Sequence, residues 1–173
     1  MKTILASIVI AFALACSVQA AEVTAKLSNV HLCCKKCVTG VEKAVAGVEG
    51  VKASADQDDG TVGLTGPDTA TVQKAVDALV GAGYFGTTSD AGVKLDSSTG
   101  AKGEKVQSLQ VSGVHLCCGS CVKAVQAALK TVPGVKGDTA VKGAKTFEVT
   151  GDFNDKDVFV ALQKAGLTGK AGM

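Results

Sequence analysis

Apolar and polar residues alternate at Val23, Ala25 and Leu27, then the apolar positions move to Val38, Val41, Val45 and Val48. Alternation marks a strand buried on one side, and 3-4-3 spacing marks one face of a helix. Both patterns return at Leu109 and Val111, then at Val122, Val125, Leu129 and Val132. Gly50 and Gly134 follow the two helical runs and read as their stops. Further alternation at Thr61–Thr65 and Thr146–Thr150 predicts a strand in each half, with Asp59-Gly60 as the hairpin turn before the first. Second helices carry inner faces at Val72, Val76 and Leu79, and at Val158, Leu162 and Ala165. Asp68 or Thr69 is placed to cap the first of these, and Asn154 or Asp155 the second. Closing strands are expected near Tyr84–Thr88 and Leu167–Ala171.

The order strand, helix, strand, strand, helix, strand thus occurs twice. It predicts an α+β chain of two ferredoxin-like βαββαβ domains in tandem, helices on one face of an antiparallel sheet. The expected domains are 22–89 and 105–171. Residues 90–104 are rich in Gly, Ser and Lys, have no apolar period, and read as a flexible linker. A coil of this length spans about 20–24 Å, so the two domains are free to meet without being forced to.

The N-terminus is different. Lys2 precedes the apolar run Thr3–Ala15, and Ser17-Val18-Gln19-Ala20 offers small residues for cleavage. Residues 1–20 are therefore expected to be a secretory signal peptide, and the mature chain to be exported, periplasmic or extracellular. The run falls short of the roughly 20 residues of a membrane span, and none is expected in the mature chain. Ala13-Leu14-Ala15-Cys16 faintly resembles a bacterial lipoprotein box with its leucine one place too late, which makes a lipid anchor at Cys16 the weaker alternative. Charge adds an exclusion. The formal net charge is +2 and the chain has no arginine, so it lacks the basic footprint and bidentate fork of a nucleic-acid reader.

The candidate chemistry is concentrated in a repeated segment. Ser28-Asn29-Val30-His31-Leu32-Cys33-Cys34-Lys35-Lys36-Cys37-Val38 recurs as Ser112-Gly113-Val114-His115-Leu116-Cys117-Cys118-Gly119-Ser120-Cys121-Val122. The two copies hold six of the seven cysteines and both histidines. Disulfide scaffolds spread cysteines to close loops, whereas each trio here lies within five residues. Adjacent cysteines bridge poorly, although Cys34–Cys37 could close a local disulfide. Each trio sits where a strand gives way to a helix, and the unpaired N–H groups of a helix start favour thiolate. Soft sulfurs with few hard oxygen donors nearby favour Cu(I), and by the same argument Zn(II) or Hg(II). A lone C-x-x-C says little; two copies at matching junctions, each with a third cysteine, say much more. The candidate ligands are Cys34, Cys37, Cys118 and Cys121, then Cys33 and Cys117 as third thiolates. His31 and His115 come last, since a strand-end histidine bonded to backbone is the plainer reading. Asp56, Asp58 and Asp59 match no EF-hand spacing.

These loops resemble the heavy-metal-associated domain, the module of small copper chaperones, copper-pump N-terminal domains and periplasmic mercury-binding protein. That family carries Gly-Met-x-Cys-x-x-Cys at the same strand–helix junction, and often Ala-Gly-Tyr before the last strand. The chain has Ala82-Gly83-Tyr84 and Ala165-Gly166-Leu167 there. The resemblance implies Cys34 with Cys37, and Cys118 with Cys121, as ligand pairs. Its departures are Leu32 and Leu116 at the Met position, read as apolar plugs, Cys33 and Cys117 at the variable position, and His31 and His115 at the Gly position.

The expected function is an exported soft heavy-metal binding protein, Cu(I) first, acting as carrier, buffer or scavenger through two Cys-Cys-x-x-Cys loops. Its partners would be the metal ion and a membrane metal transporter or another metal carrier. No Ser/His/Asp set, phosphate loop or paired carboxylate suggests an enzyme. One alternative is a thiol–disulfide oxidoreductase, which also uses a C-x-x-C at a helix start. Against it, the chain has no tryptophan, and Pro67 and Pro133 fall in turns. Another is the same module used only for protein contact. The sequence leaves open whether the two sites act alone or share an ion.

Overall fold

Ala25 and Leu27 are buried while Thr24 and Lys26 face water, so the first apolar alternation does form a one-sided strand in the computed structural model, which describes residues 22–172. The expected signal peptide and Cys16 lie outside the described residues. The first half runs β1 (Val23–Ser28), α1 (Lys35–Val45), β2 (Lys52–Asp56), β3 (Thr61–Gly66), α2 (Thr69–Gly81) and β4 (Thr87–Thr88). The second runs β5 (Lys105–Ser112), α3 (Gly119–Leu129), β6 (Val135–Asp138), β7 (Thr146–Asn154), α4 (Asp155–Lys164) and β8 (Lys170–Ala171). The architecture is α+β, with four helices and two antiparallel sheets ordered β2-β3-β1-β4 and β6-β7-β5-β8 among the described residues. Register aligns the buried stripes, Ala25 opposite Leu64 and Leu27 opposite Val62. The side chains of both halves join in one apolar core cluster.

The helices differ from their sequence reading in one respect that bears on the site. Val38 and Val48 are only half-buried, and the inner face of α1 is Cys37, Val41 and Val45. In α3 it is Cys121, Val125 and Leu129, joined by Ala128. The last cysteine of each trio is therefore a core residue as well as a loop residue. The helices also stop sooner than Gly50 and Gly134, at Val45 and Leu129. Those glycines, at φ 78° and 88°, instead serve the turn into the next strand. At Gly134 a Cβ would run into the Asp152 carbonyl. In α4, Phe159 joins Val158 and Leu162 on the buried face, and Ala165, expected on that face, is the C-cap beyond the helix end at Lys164. The caps are Asp68, which accepts from the Thr71 N–H at 2.7 Å, and Asn154, which accepts from Lys156 at 3.0 Å.

Residues 90–104 form no helix or strand, yet they make specific contacts. Val93 is buried, and Gln73 clamps the backbone of Lys94 through both its N–H and its carbonyl. Asp155 accepts from the N–H groups of Lys102, Gly103 and Glu104 at 2.7–2.9 Å. Burial alone would raise the carboxyl pKa, but these backbone donors outweigh it and hold the pKa below the usual value. Asp155→Ala is expected to cost about 2–3 kcal/mol, the loss of donors directed at one charge, readable as a lower urea midpoint. The folded pKa is depressed, so this contribution is present above the unfolded carboxyl pKa of about 4 and is lost as pH falls through the lower folded value. The wild-type advantage over the variant should therefore shrink below about pH 4.

The two halves meet along a short seam. Tyr84 and Leu167 form an antiparallel bridge. Phe85 donates its N–H to Gly166 at 3.1 Å, and Thr168 donates to Gly83 at 3.0 Å. Gly83 (φ 87°) and Gly166 (φ 76°) lie against the backbone of the opposite half, at Gly113–His115 and Asn29–His31. Asn29 (φ 58°) and Gly113 (φ 75°) are the matched left-handed residues that turn each chain out of its strand toward its cysteines. Asn and Gly adopt that conformation most readily.

Candidate metal centre

Each trio is placed by the same local device. Leu32 and Leu116 are buried below the loops, as the plug reading expects. Cys34 and Cys118 are the N-caps of α1 and α3, and Cys37 and Cys121 lie in the first helical turns, buried. The seam then turns the two loops toward one another. Cys33 lies 3.3 Å from Cys118 and 3.5 Å from Cys121. Cys34 lies 4.0 Å from Cys117 and 3.9 Å from Cys118, and Cys37 lies 3.5 Å from Cys117 and 3.9 Å from Cys121. Within the loops the spacings are 3.6 Å for Cys33–Cys37, 3.9 Å for Cys34–Cys37, 3.7 Å for Cys117–Cys121 and 3.7 Å for Cys118–Cys121. Every sulfur thus has two neighbours from the opposite loop, and together the six approximate an octahedron. All six are free thiols, the Cys34–Cys37 pair included.

Four triangles in this set have every edge at 4.0 Å or less: Cys33/Cys37/Cys121, Cys37/Cys117/Cys121, Cys33/Cys118/Cys121 and Cys34/Cys37/Cys117. Metal–thiolate bonds of about 2.3 Å give sulfur–sulfur edges of about 3.8 Å in a tetrahedral site and about 4.0 Å in a trigonal one. The thiols therefore need little movement to close on an ion.

Proton affinities are unequal. Cys118 is pushed down to about 6, chiefly by the backbone N–H of Cys121 at the start of α3, where unpaired N–H groups favour thiolate. Cys37 is pushed down, foremost by the Cys121 thiol hydrogen-bonded to it, while Cys121 is pushed up by the same contact. That pair gives up one proton readily and resists losing the second. Burial raises Cys33, and raises Cys117 to about 12.

The histidines are not equivalent. His115 stacks on Tyr84, ring centroids 4.4 Å apart, with its Nε2 3.1 Å from the Tyr84 hydroxyl. That hydroxyl also donates to the Cys37 carbonyl at 2.8 Å. Gly40 makes room for both rings, since a Cβ there would strike the Tyr84 oxygen. The residue matching Tyr84 in the other half is Leu167, and the His31 Nε2 is buried with no hydrogen-bond partner. Burial lowers the His31 pKa. One ring nitrogen of His115 lies within 4.8 Å of the Cys37, Cys117 and Cys121 sulfurs, and one of His31 within that range of Cys33 and Cys121. Tyr84 is the participant that sequence reasoning missed. It is a core residue whose hydroxyl also enters the site, and the sequence signal for that is the Tyr-for-Leu difference between the two Ala-Gly-x turns.

The family description Heavy-metal-associated domain matches residues 108–167, which include Cys117, Cys118 and Cys121. No curated protein matches the chain. Among solved structures, the apo HMA domain of copper chaperone for superoxide dismutase aligns at 22% identity and TM-score 0.35, covering 51% of this chain and 86% of that one. The N-terminal soluble domains of Bacillus subtilis CopA align at 18% identity and TM-score 0.29, covering 88% and 95%. The first two RRM domains of yeast poly(U) binding protein (Pub1) align at 10% identity and TM-score 0.28, covering 86% and 97%. At these scores the three overlaps carry no weight for function. Among the described residues no helix is long and apolar enough to cross a membrane.

Proposed function

We infer that the chain is an exported heavy-metal binding protein, with Cu(I) its main cargo, and that its two halves are tandem heavy-metal-associated units sharing one thiol cluster. The observation that carries this reading is the six-sulfur cluster itself, each sulfur within 4.0 Å of two from the opposite loop. The family match over 108–167 and the repeated element order support it. Cys33, Cys34, Cys37, Cys117, Cys118 and Cys121 are the ligands in this reading. Soft thiolates in a half-buried setting prefer a soft monovalent ion, and the exposed rims of the loops give a transporter or another carrier a place to exchange it. The same cluster suits a buffer or scavenger.

Competition titration of the fully reduced chain with Cu(I), and separately with Zn(II), against calibrated chelators tests this. Cooperative uptake of Cu(I) into one species, in preference to Zn(II), is the expected result. Two equal, independent equivalents would sink the shared cluster. No tight binding of either ion would remove the metal reading and favour thiol exchange, detectable as a mixed disulfide with a small substrate.

A further inference from the structure

The four closed sulfur triangles are not alike, because only one has an imidazole nitrogen within 4.8 Å of all three sulfurs. That triangle is Cys37/Cys117/Cys121, with edges of 3.5, 3.9 and 3.7 Å. Their average sits near the edge of about 3.8 Å that a tetrahedral thiolate site requires. His115 offers the fourth donor, a ring nitrogen within 4.8 Å of all three sulfurs. Its orientation is imposed by Tyr84, whose single hydroxyl proton goes to the Cys37 carbonyl. The Tyr84 oxygen can then only accept from the His115 Nε2, which must carry the ring proton. The lone pair is left on Nδ1, the neutral form in which imidazole binds metal. A second polar group that fixes the tautomer of a ligand is a recurring feature of metal sites.

The pseudo-equivalent position fails on both counts. His31 reaches only Cys33 and Cys121, and Leu167 offers it no hydroxyl.

We propose that Cys37, Cys117, Cys121 and His115 form a tetrahedral three-thiolate, one-imidazole site for a borderline divalent ion such as Zn(II), with Tyr84 as its positioning residue. The proposal rests on the metal reading above and narrows it. One corner of the cluster takes a four-coordinate divalent ion, and because the other three triangles each share Cys37 or Cys121 with it, Cu(I) and the divalent ion compete for the same thiols. Such an ion uses one residue of the first trio and three residues of the second loop, so it ties the two halves together.

Anaerobic titration of the reduced full chain with Co(II), followed by displacement with Zn(II), tests the site. The first equivalent of Co(II) should give the intense visible bands of a tetrahedral, thiolate-rich ion. His115→Ala should weaken that equivalent 10- to 100-fold and change its bands. Tyr84→Phe should weaken it roughly tenfold while keeping the wild-type band pattern. His31→Ala should leave both affinity and spectrum unchanged. Long-range proton–nitrogen correlation on the Zn(II)-loaded wild type should show His115 bound through Nδ1 with Nε2 protonated, a reading independent of how any variant folds. A wild-type Co(II) spectrum and affinity in His115→Ala, or an unbound His115 ring in the loaded wild type, would overturn the proposal while leaving Cu(I) binding untouched. Failure of the wild type to bind Cu(I), Co(II) or Zn(II) would overturn the metal reading along with it.

Discussion

Cys37→Ser or Cys121→Ser should lower Cu(I) affinity by on the order of 100-fold, and the double variant should abolish tight binding. Each of the four closed sulfur triangles contains Cys37, Cys121 or both. Without Cys37, Cys33/Cys118/Cys121 is the one that survives; without Cys121, Cys34/Cys37/Cys117 survives; without both, none does. Cys34→Ser leaves three triangles and should cost about tenfold, the low end of what disturbing a metal site costs. This ranking differs from that of two separate C-x-x-C pairs, in which Cys34 and Cys37 would matter equally. Serine in the buried positions also leaves a hydroxyl short of partners, worth about 1–3 kcal/mol of stability. Circular dichroism and a thermal midpoint measured without metal would separate that loss from the loss of binding. Equal losses from Cys34→Ser and Cys37→Ser would refute the shared cluster.

The second large effect is expected at the seam. Gly83→Ala should destabilise the chain by about 2–4 kcal/mol, from a residue forced into the left-handed region and a Cβ driven into backbone. The obstructing groups are the Gly113 carbonyl and the His115 N–H, neither of which can rotate aside. The relief available to the variant is to part the halves locally. Cu(I) uptake should then pass from a single cooperative step to two weaker independent ones, one per trio. Gly166→Ala should do the same through Asn29 and His31. Gly47→Ala, with open space around it, is the control. A variant at Gly83 with wild-type stability and uptake would show that the seam does not hold the trios together.

Much of the fold could be read from local pattern because local physics decides it. The helix caps Asp68 and Asn154, the buried alternation at Val62 and Leu64, and the turn ending at Gly60 each follow from residues close in sequence. β2 was implied by the order of elements but could not be bounded. Lys-Ala-Ser-Ala-Asp offers only small residues on its inward side, and the strand exists through its pairing with β3. The six cysteines were equally legible as candidate ligands, whereas their convergence was not. It depends on a two-residue bridge between Tyr84 and Leu167, on glycines that permit close approach, and on contacts by which Gln73 and Asp155 hold a segment whose composition reads as slack coil. None of these leaves a periodic signature. The burial of Cys37 and Cys121 was hidden for a related reason: counting valines placed the helix face one residue away from the thiol that belongs to it.

The bridge between Tyr84 and Leu167 has a consequence for how the protein behaves on dilution. A cluster built between two separate molecules falls apart as they are diluted, so its hold on metal depends on how much protein is present. Here both contributors are on one chain, and tethering presents each to the other at an effective concentration in the mM range however scarce the protein is. Cu(I) affinity measured at nanomolar and at micromolar chain should be the same, and a protein working at low copy number would keep its full grip.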